Sequence, residues 1–220
     1  MTVTVLLADD QALVRTGFRL MVNATADLRV VGEALDGADA VRLALSVRPD
    51  VVLMDVRMPG MDGIEATRRI TTQTGSRVLI LTTFDLDEYA FDGLRAGASG
   101  FLLKDVPPDG LFEAIRAVAS GDAVLTPRIT RDLVDQFARA AEPGPLRRSA
   151  PSCFAELTSR EVEVFGHVAQ GRTNAEIARA LYLTEATVKT HVTRVLTKLG
   201  LRNRVQIVIF AYETGLTPLT

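Results

Sequence analysis

One cysteine, Cys153, stands in 220 residues. An intrachain disulfide is therefore impossible, and a zinc cluster built on cysteines is excluded. Histidine is almost as scarce, with only His167 and His191. His191 reads as a packing residue or a phosphate contact, and His167 as a surface or half-buried side chain. Neither is flanked by a pattern that would make it a phosphoryl carrier. No stretch approaches the ~20 apolar residues that a membrane span requires. The first ten residues have no cationic start and no small-residue cleavage site, and Asp9 and Asp10 close their apolar run. They read as a strand rather than a signal peptide. The expected location is the cytoplasm, with no membrane partner. Internal repeats and low-complexity tracts are absent as well.

What is present fits a soluble two-domain chain. Apolar residues make up 47% and charged residues 24%, enough for a core in each half and too balanced for disorder. The net charge of −2 conceals an asymmetry. Residues 1–126 hold 12 basic and 18 acidic residues, whereas residues 154–220 hold 8 and 6. From Thr187 to Arg204 the sequence places Lys189, Arg194, Lys198, Arg202 and Arg204 with no acid among them. The acidic half suggests a cation site or a basic partner, and the basic segment suggests a phosphate backbone.

In the first 120 residues, short β-branched runs alternate with amphipathic stretches. The runs are Val3–Ala8, Arg29–Ala34, Asp50–Met54, Val78–Thr82 and Gly100–Leu103. Helical patterns lie near Ala12–Asn23, Ala38–Val47, Ile64–Thr72, Asp87–Ala96 and Pro108–Ala119. Five βα units predict an α/β domain with a five-stranded, doubly wound parallel sheet, in which the flavodoxin-like order 2-1-3-4-5 would set strands 1 and 3 side by side. Residues Pro127–Ala141 read as a further helix, and the Pro-rich stretch from Glu142 to Pro151 as a flexible linker. After Leu157 no strand signal remains. Four helices fit, near 159–170, 174–182, 185–199 and 203–214, an all-α second domain. Thr158 with Glu161, and Thr173 with Glu176, have capping-box spacing. The expected boundaries are 1–122 for the first domain, 123–153 for the linker helix and linker, and 154–220 for the second domain.

In such a sheet the ligand crevice lies outside the carboxyl ends of the strands, where strand order reverses. Asp9 and Asp10 follow the first strand and Asp55 ends the third, so adjacent strands bring three carboxylates together. Two like charges 4 Å apart repel by roughly 4 kcal/mol at an effective dielectric of about 20. The cluster calls for a cation, and an open, oxygen-only site favours Mg²⁺. Thr82-Thr83 after the fourth strand and Lys104 after the fifth add a hydroxyl and an ammonium. Together these groups make a phosphoryl site in which a carboxylate is the nucleophile.

Asp9-Asp10, the run from Val51 through Asp55 to Gly63, Leu81-Thr82, and Phe101-Leu-Leu-Lys104 resemble the receiver domain of two-component systems. The resemblance spans about residues 2–121. It implies that Asp55 is the phospho-acceptor, and that Asp10, Asp55 and the carbonyl of Arg57 bind Mg²⁺ directly, with Asp9 helping through water. It also implies that Thr82 bonds the phosphoryl group, Lys104 pairs with it, and Phe101 changes rotamer as Thr82 moves. Asp105, where many receivers carry proline, departs from the pattern without touching the chemistry. Helix 1, with Leu13, Val14 and Phe18, is the kinase-docking surface by resemblance. Glu88, Tyr89 and Arg95 fall on the face that would respond to phosphorylation.

In the segment 185–199, Val188, Val192, Val195 and Leu199 recur as one apolar stripe. The opposite face carries Lys189, Thr190, Thr193, Arg194 and Thr197, which suits base edges and phosphates in a major groove. Leu157 through Val162, Gly171 through Ala178, Thr187 through Val192 and Lys198-Leu-Gly200 resemble the LuxR-type helix-turn-helix of the NarL/FixJ regulators. By that resemblance, base contacts fall on Lys189, Thr190 and Thr193, and backbone contacts on Thr184, Thr187, Lys198 and Arg204.

The two resemblances imply a phosphorylation-dependent transcriptional regulator. Its partners would be a sensor histidine kinase, double-stranded promoter DNA and a second copy of itself. It would not be an enzyme beyond slow self-dephosphorylation. Three alternatives compete. A phosphohydrolase with an aspartate nucleophile usually has a second aspartate two residues on, where this chain has Arg57. A flavin carrier needs a hydroxyl- and glycine-rich loop where Asp9-Asp10-Gln11 stands. A constitutive DNA binder has no use for the intact acidic pocket.

Overall fold

The computed structural model describes residues 2–82, 92–124 and 152–216. The chain divides into two compact units, Met1–Ile129 and Thr130–Thr220. The expected helix at Pro127–Ala141 and the linker up to Pro151 lie outside the described residues, as do Thr83, Glu88 and Tyr89.

The first unit alternates β1 (Val3–Ala8), α1 (Ala12–Asn23), β2 (Leu28–Ala34), α2 (Gly37–Val47), β3 (Val51–Asp55), α3 (Gly63–Gln73), β4 (Arg77–Thr82), β5 (Gly100–Leu103) and α4 (Pro108–Ser120). Residues 92–95 between β4 and β5 are helical too. The five strands are parallel and ordered β2-β1-β3-β4-β5. The expected sheet and order therefore hold. β3 is buried along its whole length, as a central strand covered on both faces must be. α1 turns Arg15, Phe18 and Val22 inward, and α4 turns Leu111, Ala114, Ile115 and Val118 inward. Phe18 thus belongs to the core, while Leu13 and Leu20 stand 86% and 65% exposed on the same helix. Of the three residues read as a docking surface on helix 1, Phe18 faces inward, because periodicity puts it on the other face.

The chain leaving α4 returns to the sheet. Val124 forms an isolated parallel bridge with Gly100. Its N–H donates to the Ser99 carbonyl at 3.1 Å and its carbonyl accepts from Phe101 N at 2.9 Å. A Cβ on Gly100 would lie 2.4 Å from the Val124 oxygen, so only glycine admits this pairing.

Among the described residues, the second unit begins with a short 3-10 turn, Ser152–Glu156, whose first two residues fall in the expected linker, followed by α5 (Ser159–Ala169), α6 (Asn174–Leu181), α7 (Glu185–Leu199) and α8 (Arg204–Thr214). Both capping boxes form, Thr158 with Glu161 and Thr173 with Glu176. Val164, Phe165 and Val168 of α5, Ile177 of α6, the apolar stripe of α7 and Ile207 of α8 share one core. Phe154 and Phe210 flank the Phe165 ring edge-on, at 5.1 and 6.1 Å.

Candidate functional site

Because β1 and β3 are neighbours in register, Ala8 beside Met54, the residues that follow them meet at one end of the sheet. Asp9, Asp10 and Asp55 each present an oxygen, and these oxygens lie within 4.8 Å of one another. Asp9 and Asp55 are buried and Asp10 is exposed, so the cluster has a dry floor and an open mouth. Lys104, just past β5, reaches across the strand ends. Its Nζ lies 2.7 Å from Asp9 Oδ2 and 2.9 Å from Asp55 Oδ2. Thr82 is buried at the end of β4, and its carbonyl accepts from Lys104 N at 2.8 Å. Phe101 is wholly buried, with its ring against Gly93. The structure thus gathers Asp9, Asp10, Asp55, Thr82 and Lys104 at one end of the sheet. Arg57 is exposed in the following loop.

Burial pushes the Asp55 carboxyl above its ordinary pKa. Lys104 pulls it back and the charge of Asp9 adds to the rise. Burial works against the Lys104 ammonium too, but the two carboxylates outweigh it and raise its pKa. With all groups ionised, three carboxylates and one ammonium leave two negative charges, which a divalent cation matches. Asp9 Oδ1 already accepts the Gln11 N–H at 2.8 Å. Its Oδ2 faces Lys104 yet has no aligned hydrogen-bond donor among the described residues. An oxygen-only donor set with one exposed member fits Mg²⁺, which keeps part of its water shell.

Sequence reading missed one participant. Arg15 is only 9% exposed, and its Nη1 donates to the Asp9 carbonyl at 2.7 Å. The available signal was an arginine on the apolar stripe of α1, three residues before Phe18 and seven before Val22.

The second candidate site is the outer face of α7. Val188, Val192, Val195 and Leu199 are buried, while Lys189, Thr190, Thr193, Arg194 and Thr197 are exposed. The hydroxyls of Thr190, Thr193 and Thr197 donate back to the carbonyls of Ala186, Lys189 and Thr193, each at 3.0 Å. Their lone pairs and methyl groups remain for an outside partner. Thr184 caps α7, accepting the Thr187 N–H at 3.2 Å. Arg204 reaches Asn174 Oδ1 at 2.7 Å and also bonds the Arg172 carbonyl.

Lys198 is engaged inside the domain. Its Nζ donates to Glu161 Oε2 at 2.7 Å and to the Glu156 carbonyl at 3.0 Å. Glu161, 3% exposed, also accepts the Thr158 N–H at 2.8 Å. Lys198 and that N–H hold its pKa down to about 2, from an ordinary 4.5. A depressed carboxylate contributes stability above its unfolded pKa that is lost as pH falls through the folded value. The second unit will therefore lose stability between about pH 4.5 and about pH 2. Lys198→Met leaves the buried carboxylate unpaired and is expected to cost roughly 2–3 kcal/mol at neutral pH. That corresponds to a melting drop on the order of 10 °C for so small a unit. Scanning calorimetry across pH checks both; an unchanged Lys198→Met melt would remove this ion pair from the account.

Comparison with known proteins finds a family for each of the two stretches that carry these sites. Residues 5–116 match the response regulator receiver domain family. Residues 155–211 match the bacterial regulatory proteins of the luxR family. The chain is 45% identical over 215 residues to the uncharacterized transcriptional regulatory protein YxjL of Bacillus subtilis, covering 97% of each. It is 39% identical over 214 residues to the oxygen regulatory protein NreC of Staphylococcus aureus, covering 96% of this chain and 98% of that one. Among solved structures, the response regulator ChrA of a heme-sensing two-component system is 35% identical, covers 98% of both chains and superposes with a TM-score of 0.53. No helix among the described residues is long and apolar enough to cross a membrane.

Proposed function

Because the chain belongs to the response regulators that join a receiver domain to a LuxR-family DNA-binding domain, we propose that Asp55 accepts a phosphoryl group from a sensor histidine kinase and that this step governs promoter binding through α7. That the protein is a two-component regulator acting as a transcription factor follows from the two families together. The observation that carries the finer reading is the Lys104 ammonium held between Asp9 and Asp55, beside the exposed carboxylate of Asp10.

An Asp55 oxygen attacks the phosphorus of a phosphohistidine. The O–P bond forms as the N–P bond breaks, and the released imidazole takes up a proton. Lys104 turns from Asp55 to the incoming phosphoryl oxygens and offsets their charge. The Thr82 hydroxyl donates to one of those oxygens. Asp10, Asp55 and the Arg57 carbonyl would hold Mg²⁺ directly and Asp9 through water; the ion would supply charge neutralisation at the transferring group. Thr82 moving inward lets Phe101 turn, which reshapes the surface beside β5 that carries the exposed Arg95. Two copies then associate and place two α7 helices on a repeated DNA site. The protein works as a regulator in the cytoplasm, with self-hydrolysis of the aspartyl phosphate as its one slow reaction.

On DNA, Lys189, Thr190 and Thr193 read base edges. Thr184, Thr187, Lys198 and Arg204 lie toward the backbone, the last two already tied into the domain. Lys189→Ala is expected to cost roughly 1–3 kcal/mol on the preferred site and to flatten discrimination between sites. Binding titrations on preferred and scrambled duplexes at several salt concentrations check it. A uniform loss with only a reduced salt slope would reassign Lys189 to phosphate.

The test of the whole reading is incubation with Mg²⁺ and a small phosphodonor, followed by intact-mass measurement and sedimentation. One phosphoryl group on Asp55 and a shift toward dimer are expected. Transfer to another residue, or none, would refute the assignment. Phosphorylation that altered neither mass in solution nor DNA affinity would leave a constitutive binder.

A further inference from the structure

We propose that Arg15 is a positioning residue for the cation site: from α1 it fixes the Asp9–Asp10 peptide so that the Asp10 carboxylate projects toward Asp55. The inference rests on the reading of the acidic cluster as a Mg²⁺ site and adds to it a residue outside the carboxylate set. Arginine is rarely buried without a specific partner, and here the side chain is 9% exposed. Its Nη1 donates to the Asp9 carbonyl at 2.7 Å in a buried contact. Its Nε lies 3.7 Å from Glu33 Oε2 on β2, and Arg19 Nε approaches the other Glu33 oxygen at 3.3 Å. Glu33 thus lies beside the guanidinium as a counter-charge while Nη1 bonds the main chain of the site.

Beside its ion pair with Lys104, the Asp9 residue is held by three hydrogen bonds. Its N–H donates to Ala34 O at 3.3 Å, its Oδ1 accepts Gln11 N at 2.8 Å, and its carbonyl takes Arg15. Asp10 is exposed, so the direction in which its carboxylate leaves the chain is set by the peptide before it. Of these three contacts, only Arg15 grips the carbonyl of that peptide. A buried donor that orients a metal-binding segment without touching the ion acts through its neighbours, and loss of such partners typically weakens metal affinity about 10–100-fold.

Charge and position make opposite forecasts, which gives the test its sign. Removing a cation beside three carboxylates tightens Mg²⁺ binding by Coulomb's law alone. Removing the group that aims Asp10 weakens it. Calorimetric titration of the full chain with Mg²⁺ alone, without phosphodonor, should show Arg15→Met raising the Kd at least about tenfold while far-UV dichroism stays that of the wild type. Arg15→Lys, which keeps the charge but not the planar fork, should fall between. A Kd for a folded Arg15→Met equal to or below that of the wild type overturns the proposal. Should Arg15→Met fail to fold, Arg15→Lys decides: a weaker Kd supports the role and an unchanged one overturns it. A wild type that takes up no Mg²⁺ brings down the cation-site reading and this inference with it. A wild type that binds normally beside unaffected variants brings down only the role of Arg15.

Discussion

Asp55→Asn will take up no phosphoryl group, and in metal-free buffer at neutral pH it will melt higher than the wild type. The first result follows from removing the nucleophile. The second follows from the setting of the carboxylate. Burial raises the Asp55 pKa, and although Lys104 opposes the rise, the charge of Asp9 reinforces it. A raised carboxylate contributes stability fully present below its unfolded value of 3.8 and lost as pH rises through the folded pKa. At neutral pH the wild type therefore carries an unfavourable charge that the variant lacks. The gain in melting temperature should be on the order of a few degrees, and it should shrink as pH falls toward 3.8. Mg²⁺ reverses the ranking, because a ligand at about a hundred times its Kd stabilises by roughly 2.7 kcal/mol and the variant has lost one of the carboxylates that would bind it. Thermal melts in chelator and in Mg²⁺ across pH measure all of this. A variant that melts below the wild type in chelator would show that the Lys104 contact dominates the carboxylate's setting.

Gly63→Ala is expected to be the most damaging one-methyl change in the first unit. A Cβ at Gly63 would stand 1.9 Å from the Asp55 carbonyl oxygen and 2.9 Å from its carbon, with Met54 Cγ at 3.1 Å. The two nearest atoms are main chain and have no rotamer through which to escape. Gly63 N also donates to Val56 O at 2.9 Å, so the start of α3 is tied to the chain just past β3. The methyl forces either α3 away from the sheet or Asp55 out of place. Overpacking commonly costs about 1–3 kcal/mol, and a clash with backbone belongs at or above the upper end. Phosphoryl uptake should fall with stability, because the displaced residue is the nucleophile. Gly17→Ala is the matched control: nothing lies within 4 Å of its Cβ position in α1, and replacing a helical glycine gains roughly 0.5–1 kcal/mol. Denaturant unfolding of both variants should give opposite signs. A Gly63→Ala protein as stable as the wild type would mean that the β3–α3 turn is freer than its contacts imply.

Much of this was legible in the sequence because it is local to the chain. Apolar runs of strand length and stripes of helical period state which face is buried, so Val51–Met54 and the Val188–Leu199 stripe declared themselves. Thr158 and Thr173 cap helices within three residues of themselves, as their spacing to Glu161 and Glu176 announced. The carboxylate cluster could be assembled on paper because a parallel order of 2-1-3-4-5 puts the ends of β1 and β3 side by side.

Other features depend on which elements touch, and the chain does not advertise that. Lys198 stands in a basic segment and invited a phosphate, yet its acid, Glu161, lies 37 residues away on α5. Arg15 lies on the apolar stripe of α1, and only folding sets the Asp9 carbonyl against it. Gly63 and Gly100 are ordinary turn and strand glycines in the sequence, and only packing reveals main chain where a Cβ would sit. By itself, then, the sequence determined the described strands and helices and which residues end β1 and β3, since periodicity, caps and strand-end placement act over a few residues. Tertiary structure alone decided which charges are matched inside the protein and which remain for a partner, since ion pairs and close backbone approaches form between segments far apart in the chain.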